Sequence, residues 1–349
     1  MKAQLILENG VRFNGSLFGA KKDIVGEVVF STGMIGYQET LTDPSLAGQI
    51  LTMTFPLMGN CGINLEDNEA KHTSLKGLVV REKADHPSNF RNEMDLDAFL
   101  KEQGVVGIEG IDTRALTRMI REHGTMTAVI MKGEPSDEEV KAFMATLDNK
   151  GLIDEVTTKE KYVVNPEGKT EVAYIDLGTK MSIINNLAKR DCKVTVFPAN
   201  VTAAEIEALN PDLVFVSSGP GDPMDAPYVV ETVKALVGKY PISGICLGHL
   251  IVSLALGCKT KKMKFGHHGG HPVKDLSTGK VYITSQGHNY VVDECPDDVE
   301  VAFVSVNDGT CEGIKHKSLP IQSFQFHPEG APGALETQHI FDRLLKEVK

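Results

Sequence analysis

The sequence lacks any apolar run of the roughly 20 residues that a membrane-spanning helix needs, and it has no basic run longer than two residues, as at Lys261-Lys262. Its formal net charge at pH 7 is −11, which disfavours binding to phosphate-rich surfaces. These absences argue against a membrane-embedded protein and against nucleic acid or an anionic membrane as a partner.

Cysteine is scarce: the six cysteines are scattered, and no two of them form a C-x-x-C pair. A disulfide framework or a structural zinc site would need paired cysteines at regular spacing. The N-terminus, MKAQLILENGVRF, alternates apolar and polar residues and reaches a charge at Glu8, which is typical of a strand rather than a signal peptide. We therefore expect a reduced, cytoplasmic protein without a metal centre.

A complete phosphate-binding loop is also absent. Gly168-Lys169-Thr170 matches only the end of that motif, and Val163 stands where the motif requires its first glycine. No predicted strand precedes the segment, and no apolar helix follows it directly. We therefore expect the chain to bind no nucleotide and to need no cofactor of its own.

What the sequence does contain suffices for two globular domains: 41% of its residues are hydrophobic and 24% are charged. Residues 1–150 predict an α+β domain that begins with a β-hairpin. Residues 151–170 lose this periodicity, and we interpret them as a linker. In the first domain, strands are predicted at 2–8, 11–18, 26–31, 49–55, 77–81 and 126–131, and helices at 95–103, 113–123 and 136–147.

Residues 171–349 alternate short apolar strands with helices, a pattern typical of a doubly wound, mostly parallel α/β sheet. In such sheets, binding sites lie at the carboxyl ends of the parallel strands. The strands are predicted at 171–175, 193–197, 213–216 and 242–245, the helices at 180–189, 203–209, 228–237 and 247–256, later β-hairpin strands at 281–284, 299–304 and 321–326, and a closing helix at 335–346.

Cys246 lies at such a strand end, between the apolar run 242–245 and a predicted helix, and it is flanked by Gly244 and Gly248. The G-x-C-x-G pattern is the thiol counterpart of the nucleophile elbow, in which small neighbours let a substrate approach the nucleophile. The helix N-terminus behind Cys246 offers unpaired N–H groups to a negative charge. By itself, the pattern is equally compatible with a buried core cysteine beside a glycine turn.

A cysteine nucleophile needs a base, and the candidate is His327-Pro328-Glu329, which follows the apolar strand 321–326. Residues i and i+2 of an extended segment face the same side, and Pro328 disfavours a helical conformation at His327. We therefore expect Glu329 to accept a hydrogen bond from His327. A single histidine among eleven is more often structural than catalytic, and the elbow in the same domain is what favours this one.

Three motifs resemble the class I glutamine amidotransferases over residues 171–349: GICLGH around Cys246, the downstream HPE, and the glycine-rich GPGDP loop. Four further segments resemble the small subunits of carbamoyl-phosphate synthetases. These are GEVVFSTGMIGYQETLTDPS, GNCGIN and GIDTRALTRMIREHG in the first half and MKFGHHGG in the second. The resemblance extends over essentially the full length.

This resemblance implies that Cys246 attacks the side-chain amide of glutamine, with His327 and Glu329 completing a catalytic triad. It also implies that the first domain docks on a large synthetase subunit, which uses ATP, Mg²⁺, bicarbonate and the released ammonia to make carbamoyl phosphate. The site would lie at the domain interface. The implied glutamine contacts are Ser45 in the first domain and Gly219, Gly221, Leu247, Leu250, Gly287, Asn289 and Tyr290 in the second.

Two positions depart from the family pattern. Leu250 stands where the family usually has a glutamine that helps to bind the substrate, and the segment Gly287-His288-Asn289-Tyr290 exchanges the family's glycine and asparagine. Losing one such hydrogen bond would cost roughly 1–3 kcal/mol of binding. The open alternatives are an amidotransferase subunit of another synthetase, a docking subunit without glutaminase activity, and a cysteine hydrolase acting on another amide.

Overall fold

The computed structural model describes residues 1–348, which divide into two compact units, residues 1–149 and the residues from 150 onward. No helix within residues 1–348 is long and apolar enough to cross a membrane. Each unit has its own apolar core.

The first unit contains nine strands and four helices. The strands are β1 (Lys2–Leu7), β2 (Arg12–Gly19), β3 (Ile24–Ser31), β4 (Gln49–Met53), β5 (Leu57–Met58), β6 (Gly77–Val79), β7 (Glu82–Lys83), β8 (Val106–Glu109) and β9 (Met126–Lys132), and the helices are α1 (Tyr37–Leu41), α2 (Leu96–Glu102), α3 (Thr113–His123) and α4 (Asp137–Met144). Seven strands close into a barrel in the order β1-β2-β8-β6-β4-β3-β9, and β5 pairs with β7.

The predicted helices of this unit form because their ends are capped. Asp112 accepts a hydrogen bond from the N–H of Ala115 at 2.9 Å and begins α3, which ends before Gly124 at φ 101°. Leu116 and Ile120 face the core from α3. The prediction missed α1, β8 and the closure of the barrel, because short segments carry little periodicity and closure depends on pairing between distant strands.

The second unit, as described up to residue 348, contains ten strands and six helices. The strands are β10 (Tyr162–Val164), β11 (Thr170–Asp176), β12 (Cys192–Pro198), β13 (Leu213–Val216), β14 (Ile242–Ile245), β15 (Lys259–Asp275), β16 (Val281–Glu294), β17 (Val299–Ser305), β18 (Cys311–His316) and β19 (Ile321–Phe324), and the helices are α5 (Leu152–Val156), α6 (Met181–Ala188), α7 (Ala203–Leu209), α8 (Pro227–Leu236), α9 (Leu247–Ala255) and α10 (His339–Val348). One sheet holds all ten strands in the order β10-β12-β11-β13-β14-β19-β18-β17-β15-β16.

The middle of this sheet is parallel and covered on both faces. Strands β12, β11, β13, β14 and β19 run parallel to one another. Helices α7, α8 and α9 contribute Ile206, Val233 and Ile251 to one apolar cluster, and α6 and α10 contribute Leu187 and Phe341 to the other. This arrangement confirms the predicted doubly wound α/β class.

Two segments differ from the sequence-based interpretation. Residues 151–170, which we interpreted as a linker, belong to the second unit and contain α5 and β10, and Thr158 N–H donates to Asp176 at 2.6 Å. The strand predicted at 321–326 pairs antiparallel with β18, as expected for a hairpin, but it also pairs parallel with β14. It is therefore a central strand of the parallel sheet, next to the strand that carries Cys246.

Candidate active site

Cys246 occupies a strained turn between β14 and α9. Its backbone angles are φ 56° and ψ −109°, a region that residues other than glycine rarely adopt. The Cys246 N–H donates to the carbonyl oxygen of Phe324 at 2.8 Å, which ties the turn to the end of β19. Such strain at a single buried residue is typical of a nucleophile elbow.

The glycines around Cys246 are required by close backbone packing. A Cβ at Gly248 would lie 2.1 Å from the carbonyl oxygen of Val216, and a Cβ at Gly244 would lie 2.6 Å from the backbone of Gly248. A Cβ at Gly219 would lie 2.3 Å from the carbonyl oxygen of Leu177. The N-terminus of α9 is therefore packed directly on the end of β13, where the glycine-rich loop begins.

His327 and Glu329 make the contact that the sequence predicts. The His327 Nδ1 and Glu329 Oε1 atoms are 2.7 Å apart, and both side chains are buried. The backbone differs slightly from the prediction, because β19 already ends at Phe324. The extended conformation of His327 is instead held by its N–H, which donates to the carbonyl oxygen of Ser285 at 2.9 Å.

The parallel pairing of β14 with β19 brings the cysteine and the histidine to the same edge of the sheet. The Cys246 thiol points toward the carbonyl oxygen of Gly287, with Sγ 3.8 Å from that oxygen, and it also interacts with the His327 ring. Nucleophile, base and orienting carboxylate are therefore assembled from two adjacent strand ends.

A buried lysine completes the charge arrangement. The Lys180 Nζ atom lies 2.8 Å from Glu329 Oε1 and also contacts the carbonyl oxygen of Ala331, and the lysine side chain is only 1% exposed. Burial opposes ionisation of the Glu329 carboxyl, but Lys180 and His327 together lower its pKa to about 2. Burial likewise opposes charge on His327, but the Glu329 carboxylate raises the pKa of His327 to about 10.

At neutral pH these three side chains carry two positive charges and one negative charge in a buried site. Negative charge that develops beside His327 during an acyl transfer is therefore attracted and stabilised.

Sequence reasoning missed Lys180. The loop that carries Lys180 follows β11 and is shaped by Asp176, whose carboxylate accepts the N–H groups of Gly178 and Thr179 at 2.9 and 2.8 Å. The sequence feature that could have indicated Lys180 is a lysine in a loop of small residues at the carboxyl end of a buried parallel strand. Its partner lies 149 positions further along the chain, so no local pattern connects the two.

Most of the other predicted site residues lie on elements that border Cys246. Leu250 packs in an apolar cluster with Cys258 and Val292, and the Asn289 side chain bonds to His268 Nε2 at 2.9 Å. Gly219 and Gly221 follow β13, Leu247 and Leu250 are on α9, and Gly287, Asn289 and Tyr290 are on β16. Ser45 lies in the first unit, within a 3-10 turn at Pro44–Leu46.

The comparisons with known proteins cover both units. Residues 5–130 match the family model described as carbamoyl-phosphate synthase small chain, CPSase domain, and residues 173–347 match that of glutamine amidotransferase class-I. Among solved structures, a glutamine amidotransferase from Thermotoga maritima aligns with 51% of this chain and 96% of its own length, at a TM-score of 0.41 and 16% identity.

Curated relatives match along the full chain. The carbamoyl phosphate synthase small chain of Clostridium perfringens is 54% identical over 347 residues, which cover 99% of each protein. The carbamoyl phosphate synthase pyrimidine-specific small chain of Bacillus subtilis is 46% identical, covering 100% of this chain and 96% of its own length. The small chain of Archaeoglobus fulgidus is 47% identical over 98% of each protein.

Proposed function

This chain belongs to the carbamoyl-phosphate synthase small chain family and carries a class I glutamine amidotransferase domain, and on that premise we propose that it hydrolyses L-glutamine at Cys246 and passes the ammonia to a large synthase subunit. The observation that carries the proposal is the strained Cys246 turn beside the hydrogen-bonded pair His327–Glu329, at the ends of β14 and β19. Neither a docking subunit nor a structural cysteine requires this arrangement.

In the first half of the reaction, the Cys246 thiol transfers its proton to His327, the sulfur attacks the side-chain amide carbon of glutamine, and the carbonyl oxygen becomes an oxyanion. The N–H of Leu247, in the first turn of α9, has no acceptor within the helix, and with N–H groups of the Gly219 loop it would bind that oxyanion. Each such contact contributes about 3 kcal/mol to lowering the barrier. The His327 imidazolium donates its proton to the leaving nitrogen, which departs as ammonia, and a glutamyl thioester remains.

In the second half, the neutral His327 ring removes a proton from water, and the resulting hydroxide attacks the thioester carbon. The carbon–sulfur bond breaks, the Cys246 sulfur leaves, and glutamate is released. Glu329 keeps the His327 ring oriented throughout through its 2.7 Å contact, and Lys180 keeps Glu329 ionised from a distance of 2.8 Å. Lys180 and Glu329 are positioning residues in this scheme.

The amino-acid head of glutamine is assigned to Gly219, Gly221 and the segment 287–290 of the second unit, largely through backbone groups. Leu250 offers the substrate no hydrogen bond, so we expect a weaker affinity than a glutamine at that position would give. One lost contact of roughly 1.4 kcal/mol corresponds to a tenfold change in affinity.

A large synthase subunit is the proposed acceptor because free ammonia becomes protonated at neutral pH and then ceases to be a nucleophile. The sequence carries no complete phosphate-binding loop. The ATP-dependent steps, which use bicarbonate and Mg²⁺ and yield carbamoyl phosphate, are therefore assigned to the partner, and we propose that the first unit contributes the docking surface. A cytoplasmic location agrees with this role.

The test measures glutamate release from glutamine, with and without a large subunit, for the native chain, Cys246→Ser and the control Cys61→Ser, which changes an exposed cysteine of the first unit. We expect release by the native chain and by the control, faster with the large subunit, and none by Cys246→Ser. Absence of release from the native chain under both conditions would refute the proposal and leave the docking subunit, which Leu250 favours.

A further inference from the structure

A second group of buried polar side chains lies on the antiparallel part of the same sheet. His267 of β15, His288 of β16 and Glu312 of β18 are each at least 95% buried, and each offers one ligand atom within 4.8 Å of the others. His267 Nδ1 is 3.1 Å from Glu312 Oε1, and His288 Nε2 is 4.0 Å from the same oxygen. Two ligands that are each about 2.1 Å from a tetrahedral zinc ion are roughly 3.4 Å apart.

We propose that His267 Nδ1, His288 Nε2 and Glu312 Oε1 bind one divalent transition-metal ion of the zinc class. Two imidazoles and a carboxylate are ligands that zinc prefers, whereas magnesium and calcium prefer sites made of oxygen alone. None of the three side chains has a part in the hydrolysis described above.

The outer contacts of the three ligands are those of a metal site. A ligating histidine usually donates its other N–H to a carboxylate or a backbone carbonyl. His267 Nε2 lies 2.9 Å from Asp308 Oδ2, and His288 Nδ1 lies 2.9 Å from the carbonyl oxygen of Tyr290. The second oxygen of Glu312 accepts from Gln286 Nε2 at 2.9 Å. These contacts hold the three ligand atoms within 4.8 Å of one another.

The hydrogen bonds around His288 leave one acceptor oxygen without a donor, and a cation would satisfy that oxygen. Gln286 Nε2 donates to Glu312 and to Thr284, so Gln286 Oε1 faces His288 Nε2 at 2.6 Å. The other nitrogen of His288 faces the Tyr290 carbonyl oxygen, so two acceptors compete for the single proton of a neutral ring. A metal ion at Nε2 resolves the conflict and recruits Gln286 Oε1 as a fourth ligand.

Charge and access also agree with an ion of charge +2. The carboxylates of Glu312 and Asp308 both lie beside His267, and one divalent ion would balance the charge of the two. Asp308 lies on the turn between β17 and β18, and its side chain is 40% exposed, so it offers a path from solvent to the buried ligands.

The ion would stiffen the strand that faces the nucleophile. His288 follows Gly287, whose carbonyl oxygen contacts the Cys246 thiol at 3.8 Å. Joining β15, β16 and β18 through one ion would hold this carbonyl in place behind Cys246.

Equilibrium dialysis of the chelator-treated full-length chain against Zn²⁺ tests the proposal, in a Cys246→Ser background so that the catalytic thiol cannot contribute. We expect one zinc ion per chain and at least a tenfold loss of affinity on Glu312→Gln. Glu294→Gln is the matched control, since Glu294 is a carboxylate on β16 that pairs with Lys259 at the surface, and it should bind zinc as before. No retained zinc, or equal affinity in both variants, would overturn the site.

X-ray absorption at the zinc edge of the native chain gives an answer even if Glu312→Gln does not fold. We expect nitrogen and oxygen neighbours only, with the multiple scattering of two imidazoles. A sulfur neighbour would overturn the assignment, because the zinc would then lie at thiols such as Cys258 and Cys295, whose sulfur atoms are 3.4 Å apart.

Discussion

Replacing Glu329 by glutamine tests the electrostatics of the candidate site, because the change removes one charge and keeps the shape of the side chain. Burial alone would lower the pKa of His327, but the Glu329 carboxylate, 2.7 Å from Nδ1, raises it from 6.5 to about 10. This rise corresponds to roughly 5 kcal/mol in favour of the protonated ring, at about 1.4 kcal/mol per pKa unit.

In Glu329→Gln, burial, which is the largest influence on His327, and the Lys180 ammonium still lower the pKa of the ring, whereas the hydrogen bond with Cys246 still raises it. We expect a pKa below 6.5, so that the ring is neutral at pH 8. A neutral ring cannot protonate the leaving ammonia, and at pH 8 fewer than about one ring in 30 would carry the proton. The alkaline limb of kcat/KM should therefore move from near pH 10 to below pH 6.5, with about a 30-fold loss at pH 8.

The assay is the initial rate of glutamate release between pH 6 and pH 10. Glu336→Gln, which changes an exposed carboxylate near the same turn, is the control and should keep the native profile. An alkaline limb that stays near pH 10 in Glu329→Gln would refute the reasoning. Because Lys180 would lose its buried counter-charge, we also expect a loss of about 3–5 kcal/mol in the free energy of unfolding, which the double variant with Lys180→Met should largely recover.

Three further outcomes are expected. Gly248→Ala places a methyl group 2.1 Å from a backbone carbonyl oxygen and should lower the free energy of unfolding in urea by about 1–3 kcal/mol, whereas Gly287→Ala meets no atom within 4 Å and should not. Leu250→Gln should lower the KM for glutamine about tenfold, and an unchanged KM would contradict the proposed contact. The His327–Glu329 pair contributes its full stability below pH 6.5, the pKa of His327 in the unfolded chain, and this stability is lost as pH rises through the folded pKa of about 10. The thermal midpoint of the native chain should therefore fall between pH 6.5 and pH 10, whereas that of Glu329→Gln should stay constant.

Local patterns in the sequence predicted the elements that are defined by their own residues. Helix α3 begins after Asp112 and ends before Gly124, as expected. The apolar runs at 213–216 and 242–245 form β13 and β14 over the same residues. The Cys246 elbow and the contact between His327 and Glu329 also follow from short spacings. Caps, strand alternation and turns act over a few residues, so a single sequence contains their signal.

Only the tertiary structure decided which distant segments meet. The barrel closes through β8, which the prediction missed, and β19 joins β14 in parallel, which places His327 beside Cys246. Lys180 contacts Glu329, which lies 149 positions further along the chain, and His267 contacts Glu312, which lies 45 positions further along. Strand neighbours and buried charge pairs are selected by the packing of the whole sheet and by the cost of leaving a buried charge unpaired, and neither leaves a periodic signal in the chain.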